Sequence, residues 1–263
     1  MKPAPFSYIR AESAEEAVAA LSEHEDAKVL AGGQSLVPAL NMRLLRPSVL
    51  VDVNRVSDFA SVRPDDGAIA VGATVRQAHP RLLDHPLLAE ALPHVGHHVT
   101  RNRGTVAGSV AHADPAAELP LCLVLLDGSV RARSARGVRE IPSRDFFLTH
   151  FTTALEADEL VAETVWPLPL AGWGYAFCEL AQRHGDYALC MAAAAAHGND
   201  LRVAVGSVVE RPALLDVDPE APGASASAQV EPWGNVHASP KYLARLVQVL
   251  VDRAVARARE RAA

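Results

Sequence analysis

Short apolar runs alternate with amphipathic segments along the N-terminal part of the chain. Residues 13–16 carry the capping-box pattern of a helix start, and apolar residues then recur at helical spacing up to Leu21. Strands are predicted over residues 28–31 and 49–53, with a second short helix around Leu40 between them. This βαβ opening, with so short a segment after its glycines, predicts a small subdomain.

The middle of the chain carries a different pattern. Strands are predicted over residues 69–73, 129–133 and 159–166, and a buried helix over residues 116–126. Thr74 is predicted to cap a further short helix directly after the first of these strands. Prolines break the segments in between.

The last third reads as strands followed by one long helix. Strands are predicted over residues 175–180, 188–196 and 201–209, and residues 217–238, rich in Pro, Gly, Ala and Ser, are predicted to be a loop. Residues 239–240, Ser-Pro, are typical of a helix start. The apolar stripe of this last helix consists of Leu243, Leu246, Val247, Leu250 and Ala254.

The composition is that of a globular protein without an obvious polyanionic partner. Of the 263 residues, 49% are hydrophobic and 21% charged, and the net charge is −6. This balance argues against nucleic acid or an anionic membrane as the main partner. The first ten residues contain no apolar run typical of a secretory signal, and the apolar run 119–126 is too short to span a bilayer. A cytoplasmic location is expected.

The three cysteines are spread over the sequence. Cys122, Cys178 and Cys190 form no C-x-x-C pair. This spacing argues against a cysteine-ligated iron–sulfur cluster within the chain and against a disulfide framework.

The first candidate binding segment is residues 31–35, Ala-Gly-Gly-Gln-Ser, between a predicted strand and a predicted helix. Glycines allow positive φ values and a close approach of backbone N–H groups to an anion, and Ser35 can add a hydroxyl donor. The positive end of the following helix would face the bound group. An ordinary strand–helix turn is the alternative, since the Rossmann and Walker A patterns are both absent.

The second candidate segment is residues 104–109, Gly-Thr-Val-Ala-Gly-Ser, followed by Asp114 and Glu118. Carboxylates just beyond a phosphate-binding turn suit ribose hydroxyls, which need acceptors. Two such turns, about seventy residues apart, can hold one long, doubly phosphorylated ligand between two subdomains.

Four segments together resemble a known family over nearly the whole chain. Residues 28–36 and 101–115 resemble, in order and spacing, the two flavin motifs of the medium subunits of molybdenum hydroxylases, as in carbon monoxide dehydrogenase and xanthine-dehydrogenase-type enzymes. Residues 185–188 match a third family element, and residues 237–257 match the C-terminal helical segment.

The resemblance implies an α+β flavoprotein with FAD as its cofactor. The implied architecture is a vanillyl-alcohol-oxidase/PCMH-type FAD-binding fold in two subdomains, residues 1–58 and 59–169, followed by an α+β C-terminal domain, residues 170–263, of the carbon monoxide dehydrogenase flavoprotein type. The implied partners are a small [2Fe-2S] subunit, which donates electrons, and a large molybdopterin subunit. In such a hetero-oligomer the chain would pass electrons to a soluble acceptor.

The resemblance also implies which residues contact FAD. The two glycine turns would wrap the pyrophosphate and the adenosine, with Glu118 on the ribose or phosphate side. Leu160 and Val161 would lie near the edge of the flavin ring, and Tyr187 against the isoalloxazine. The full implied set is Lys28, Val29, Leu30, Ala31, Gly32, Gly33, Gln34, Ser35, Leu36, Thr105, Gly108, Ser109, His112, Asp114, Glu118, Leu160, Val161 and Tyr187.

Two positions depart from the family pattern. Ala107 stands where the family has the first glycine of a pair, and the lysine that members often carry near Cys178 is missing. The first departure raises the question of a looser cradle, and the second concerns the contact to the pyrimidine end of the ring.

No catalytic residue and no metal site are predicted. Ser35 and Ser109 lack the G-x-S-x-G elbow of an activated serine. The histidines at 94, 97 and 98 are interpreted as a loop or helix face, because this cluster shows no acidic or cysteine partner that would complete a metal site. Two other functions stay open: a self-contained flavin oxidase or dehydrogenase, and a scaffold subunit without flavin.

Overall fold

The N-terminal part of the computed structural model, which describes residues 2–262, is a three-stranded parallel sheet in the order β1-β3-β2. Its elements are β1 (Ser7–Arg10), α1 (Ala14–Glu23), β2 (Lys28–Leu30), α2 (Leu36–Asn41) and β3 (Val49–Asp52). The predicted cap of α1 is confirmed, since Ser13 Oγ accepts a hydrogen bond from the Glu16 N–H at 3.1 Å. Because the strands are parallel, the turns after β2 and β3 lie at the same edge of the sheet.

The middle part is a five-stranded antiparallel sheet in the order β4-β5-β10-β6-β7, with five short helices and a small β8-β9 hairpin. Its elements are β4 (Val62–Asp65), β5 (Ala68–Gly72), α3 (Pro86–Ala91), α4 (His98–Arg101), α5 (Val106–His112), α6 (Glu118–Leu125), β6 (Ser129–Ser134), β7 (Gly137–Pro142), α7 (Ser143–Phe146), β8 (Phe147–Thr149), β9 (Thr152–Thr153) and β10 (Leu160–Pro167). Short 3-10 turns cover Ser57–Ala60, Pro80–Asp84 and Leu92–His94. Every residue of α6 is buried, which confirms the predicted buried helix.

The C-terminal part is a four-stranded antiparallel sheet packed against a long helix. Its elements are β11 (Gly174–Ala181), β12 (Ala188–His197), β13 (Asp200–Gly206), β14 (Ala213–Leu215), α8 (Pro222–Ala228) and α9 (Pro240–Arg261). The alanines of β12 alternate between two apolar clusters, one shared with α9 and the other with α6. A Cβ added at Gly174 would lie 2.0 Å from the Ala258 carbonyl oxygen, so this glycine allows α9 to approach β11.

Two predictions of local structure are wrong for the same reason. Thr74 does not start a helix, because the backbone after it pairs with the second glycine turn: the Gln77 N–H donates to the Gly104 carbonyl at 2.9 Å. The predicted loop 217–238 contains the helix α8, which is fixed by a hydrogen bond at 2.8 Å from the Gly223 N–H to Asp252 of α9. Both outcomes depend on tertiary contacts, which override local propensity.

Each predicted unit of the chain contains one of the three main sheets. One apolar cluster nevertheless includes residues of all three, so the division at residues 58 and 169 stays a prediction. Within residues 2–262, no helix combines the length and the apolar character needed to cross a bilayer.

Candidate cofactor site

The two glycine turns, which lie about seventy residues apart in the sequence, are in direct contact. A Cβ added at Gly32 would lie 2.5 Å from the Arg103 carbonyl oxygen and 2.7 Å from the Gly104 Cα. Both neighbours are backbone atoms, which cannot move aside as a flexible side chain can. Glycine at position 32 is therefore a condition for the two turns to meet.

The first turn presents its backbone N–H groups to a possible ligand. Gly33 has φ +73°, a conformation that glycine adopts without strain. In the described part of the chain, the N–H groups of Gly33, Gln34 and Ser35 donate to no protein acceptor. The Ser35 hydroxyl does not cap α2. Free backbone donors in a glycine turn suit an anion.

A cleft of about 360 Å³ opens beside this turn, at the carboxyl ends of β2 and β3. Its lining combines apolar and polar residues. Its lining consists of Leu30, Ala31, Gly32, Gly33, Gln34, Val37, Pro38, Asp52, Asn54 and Arg103. A pocket with these properties fits a ligand that has an apolar ring and a charged linker.

Asp52 is committed to hydrogen bonds within the protein. It accepts from the Asn54 backbone N–H at 2.8 Å, from Asn54 Nδ2 at 2.6 Å, and from the Tyr8 hydroxyl. Burial acts to raise the pKa of Asp52, but these hydrogen bonds, with the charge of Arg103, outweigh it and hold the pKa below its usual value. Asp52 is therefore an ionised structural group rather than a proton acceptor for a substrate.

The second turn is fixed by a cap. Thr105 Oγ1 accepts a hydrogen bond from the Gly108 N–H at 3.0 Å at the start of α5. A Cβ added at Gly108 would lie 2.5 Å from that same oxygen. Thr105 itself is buried, so its hydroxyl serves the backbone of α5.

Tyr187 reaches the first turn from the C-terminal sheet. It lies in the turn between β11 and β12, is 65% exposed, and lies near the Ser35 side chain. Partial desolvation and the negative charges of Asp114 and Glu118 raise the pKa of Tyr187, whereas the neighbouring Ser35 acts to lower it. Tyr187 is thus no residue of the C-terminal core, and it joins segments from all three parts of the chain.

Glu118 lies inside the protein rather than in the cleft. Its side chain is buried, and this desolvation raises its pKa to about 8, with Glu179 raising it further and His94 lowering it. His94 Nδ1 lies 3.7 Å from one oxygen of Glu179, and the other oxygen of Glu179 has no protein partner. The argument that the histidines have no acidic neighbour is therefore wrong for His94.

The chain was compared with known proteins. Residues 4–169 match the family model described as the FAD binding domain in molybdopterin dehydrogenase. The 6-hydroxypseudooxynicotine dehydrogenase complex subunit alpha of Paenarthrobacter nicotinovorans is 40% identical, covering 100% of this chain and 97% of its own. The nicotine 6-hydroxylase medium subunit of the same organism is 36% identical over 98% of this chain and 99% of its own.

This chain belongs to the FAD-binding family of the molybdopterin dehydrogenases. A chain of the carbon monoxide dehydrogenase from Hydrogenophaga pseudoflava superposes with a TM-score of 0.94 at 29% identity, covering 100% of both chains. The implied α+β, PCMH-type fold, the FAD cofactor and the assignment as an FAD-dependent oxidoreductase subunit are thereby confirmed.

The geometry of the cleft fits FAD. Five residues implied by the resemblance line it: Leu30, Ala31, Gly32, Gly33 and Gln34. A Cβ at Gly33 would lie 3.2 Å from both Leu30 Cδ1 and Val37 Cγ2, so a side chain here would have to displace these two neighbours. The Ala107 methyl is buried in the apolar core and does not enter the cradle.

The other implied residues do not line the cleft, and their contact with FAD stays a prediction. Leu160 and Val161 are buried in the core at the start of β10. The His112 ring packs on Phe151 at 5.1 Å, and its burial lowers its pKa. The residues outside the lining are Lys28, Val29, Ser35, Leu36, Thr105, Gly108, Ser109, His112, Asp114, Glu118, Leu160, Val161 and Tyr187.

Near Cys178, where the lysine of many family members is missing, an arginine from another part of the chain supplies a positive charge. The Arg257 guanidinium, from α9, donates to the Phe177 carbonyl at 3.0 Å and pairs with Glu90 at 2.7 Å. These bonds connect α9, β11 and α3. Arg257 is thus committed to holding the C-terminal helix in place.

Sequence reasoning missed three polar residues of the cleft, Asp52, Asn54 and Arg103. For two of them a signal was present, because Asp52 and Asn54 lie at the carboxyl end of a parallel strand, where ligands commonly bind. Arg103 belongs to the second motif but was given no role.

Proposed function

We propose that this chain is the electron-transfer subunit of a molybdenum hydroxylase complex. It receives electrons from [2Fe-2S] clusters of a small partner subunit and passes them to a soluble acceptor, and a large molybdopterin subunit oxidises the substrate. The observation that carries this proposal is the cleft formed where two glycine turns meet, which has free backbone donors but no positioned base or nucleophile. Bound FAD would supply the redox chemistry, and the chain would bind and orient it.

In the proposed arrangement, Gly33, Gln34 and Ser35 donate backbone hydrogen bonds to the diphosphate. Asp114 accepts from a ribose hydroxyl, and Tyr187 lies against the isoalloxazine. This distribution is supported by the position of Tyr187 near both Ser35 and Asp114. The two subdomains, residues 1–58 and 59–169, would each contribute one glycine turn to the same cofactor.

The substrate of the complex would be selected by another subunit. The similar relatives carry names with different substrates, 6-hydroxypseudooxynicotine in one case and nicotine in another, although the likeness extends over almost the full chain. A subunit that only conducts electrons explains this, because its cofactor site need not change with the substrate.

The isolated chain is expected to bind about one FAD per chain without oxidising purines, aldehydes, nicotine derivatives or carbon monoxide. Flavin absorbance during anaerobic mixing with each substrate measures this, and metal analysis of the complex purified with its partners tests for iron and molybdenum. Bleaching of the flavin in the isolated chain would identify a self-contained dehydrogenase instead. Failure to bind FAD at micromolar concentration would identify a flavin-free scaffold.

Tyr187→Ala is expected to weaken FAD binding modestly, because the loss of an aromatic contact forfeits about 0.5–1.5 kcal/mol beyond area burial. Flavin fluorescence should recover in part and the absorption band should shift, whereas thermal stability should change little because Tyr187 is exposed. Tyr187→Phe keeps the ring and removes only the hydroxyl, so it should retain most of the FAD affinity. A flavin spectrum identical to that of the unchanged protein in the Ala variant would remove Tyr187 from the site.

A further inference from the structure

The cleft carries positive charge in a chain whose net charge is −6. Arg103 lines it, and Arg76 lies directly beside Arg103. Against these two guanidiniums stands the carboxylate of Asp52, whose oxygens are held by Tyr8 and Asn54. This end of the cleft therefore has an excess of positive charge.

The Arg103 side chain has no fixed partner in the protein. It is exposed, and no carboxylate lies within salt-bridge distance of it among the described residues. Its positive charge acts on neighbouring groups, since it lowers the pKa of both Asp52 and Arg76. An unpaired guanidinium on the wall of a dinucleotide cleft is suited to a diphosphate, which accepts its paired N–H donors.

A chain of direct hydrogen bonds fixes the backbone from which Arg103 extends. One terminal nitrogen of Arg76 donates to the Arg103 carbonyl at 2.7 Å, and the other donates to Asn54 Oδ1 at 2.7 Å. Asn54 Nδ2 in turn donates to the Ala31 carbonyl at 2.8 Å. The bridge thus runs without a gap from the first glycine turn to the second.

The positive charges of Arg76 and Arg103 repel each other when no anion is bound beside them. Burial lowers the pKa of Arg76, and repulsion from Arg103 lowers it further. A diphosphate beside Arg103 would relieve this repulsion. The two arginines are therefore arranged so that an anionic ligand stabilises the contact between the two glycine turns.

We propose that Arg103 is a ligand of the FAD diphosphate and that Arg76 and Asn54 are positioning residues that hold it against the first turn. This inference rests on the assignment of the cleft to FAD made above. Sequence spacing alone does not indicate the bridge, whose members lie in the segments after β3 and β5 and before α5.

The test of Arg103 is the binding of FAD and of ADP, which shares the diphosphate but lacks the flavin. Arg103→Gln should weaken both ligands about tenfold to a hundredfold, as expected for a charged hydrogen bond, and should reduce the salt dependence of binding. Arg55→Gln is the matched control, because Arg55 is exposed and adjacent to Asn54 but does not line the cleft. The thermal midpoint of the Arg103 variant should match that of the control.

The test of the bridge is hydrogen exchange in the FAD-free protein. Arg76→Gln should accelerate exchange at Val37, whose N–H donates to the Gly33 carbonyl of the first turn, and at residues 103–106 of the second turn. It should also weaken FAD binding, with exchange in α9 unchanged. Arg103→Gln should leave exchange at both turns unchanged. If Arg76→Gln lowers the thermal midpoint strongly, Asn54→Ala removes the same bridge from its other end.

The outcomes separate this proposal from the cleft assignment. Unchanged FAD and ADP affinity in Arg103→Gln, together with lost FAD binding in Gly33→Val, would overturn the role of Arg103 and leave the cleft in place. Normal FAD binding by both folded variants would overturn the cleft assignment itself. Unchanged exchange at both turns in Arg76→Gln and Asn54→Ala would show that the bridge does not position Arg103.

Discussion

Gly33→Val is expected to abolish FAD binding at micromolar concentration while the protein remains folded. At φ +73° a β-branched residue is strained, and its Cβ would lie 3.2 Å from Leu30 and Val37, which both line the cleft. The two methyl groups would then take the space of the diphosphate and turn away the free N–H donors. Flavin absorbance after gel filtration and a titration of tryptophan fluorescence measure the effect.

Gly67→Val is the control that separates a loss of the diphosphate-binding turn from the effect of backbone strain. Gly67 has the same φ of +73°, and a Cβ there meets nothing within 4 Å. It lies in the turn between β4 and β5, away from the cleft. Both variants should lose similar thermal stability, but only Gly33→Val should lose FAD. Normal affinity in a folded Gly33→Val protein would show that this turn does not hold the diphosphate.

The parts of the site that the sequence predicted are those encoded locally. Gly33 and Gly108 stand in short motifs whose conformations follow from the residues themselves, a positive φ in one case and an N-terminal cap in the other. The contact between the two turns was predicted only as a shared ligand. That contact depends on Gly32, which meets the backbone at Arg103 across the gap.

The residues that the sequence did not predict act through distant partners. Arg76 connects Asn54 and Arg103, which are 22 and 27 positions away, and no periodic pattern encodes such a bridge. The same region misled the prediction of a helix after Thr74, because its backbone pairs with the second turn. Predictions from local sequence fail here because the conformation of this segment depends on distant residues that form the candidate site.

The position of a residue in a family motif does not by itself give the environment of its side chain, as Tyr187 and Glu118 show. Tyr187, which the resemblance places against the isoalloxazine, is exposed and lies near Ser35, and its contact with the flavin stays a prediction. Glu118 was placed on the ribose side by the same resemblance, yet its carboxyl group is buried at the start of α6.

Glu118→Gln is expected to make the protein more stable at pH 8 and to leave its stability near pH 5 almost unchanged. Burial raises the pKa of Glu118 from its usual 4.5 to about 8, so the folded chain keeps a proton that the unfolded chain releases between these values. The unfolded state then binds fewer protons, and stability falls as the pH rises through this window. At about 1.4 kcal/mol per pKa unit, the loss amounts to several kcal/mol.

Glutamine cannot ionise, so the difference in unfolding free energy between the variant and the unchanged protein isolates this one group. It should grow steadily from pH 5 to pH 8 in denaturant titrations at constant FAD content. Glu23→Gln is the control, because Glu23 is exposed at the end of α1 and its variant should follow the profile of the unchanged protein. The negative charge of Glu179 near Glu118 strengthens the expected effect, and His94 opposes it. A difference for Glu118→Gln that does not vary with pH would show that Glu118 is ionised in the folded protein, as a ribose-binding carboxylate would be.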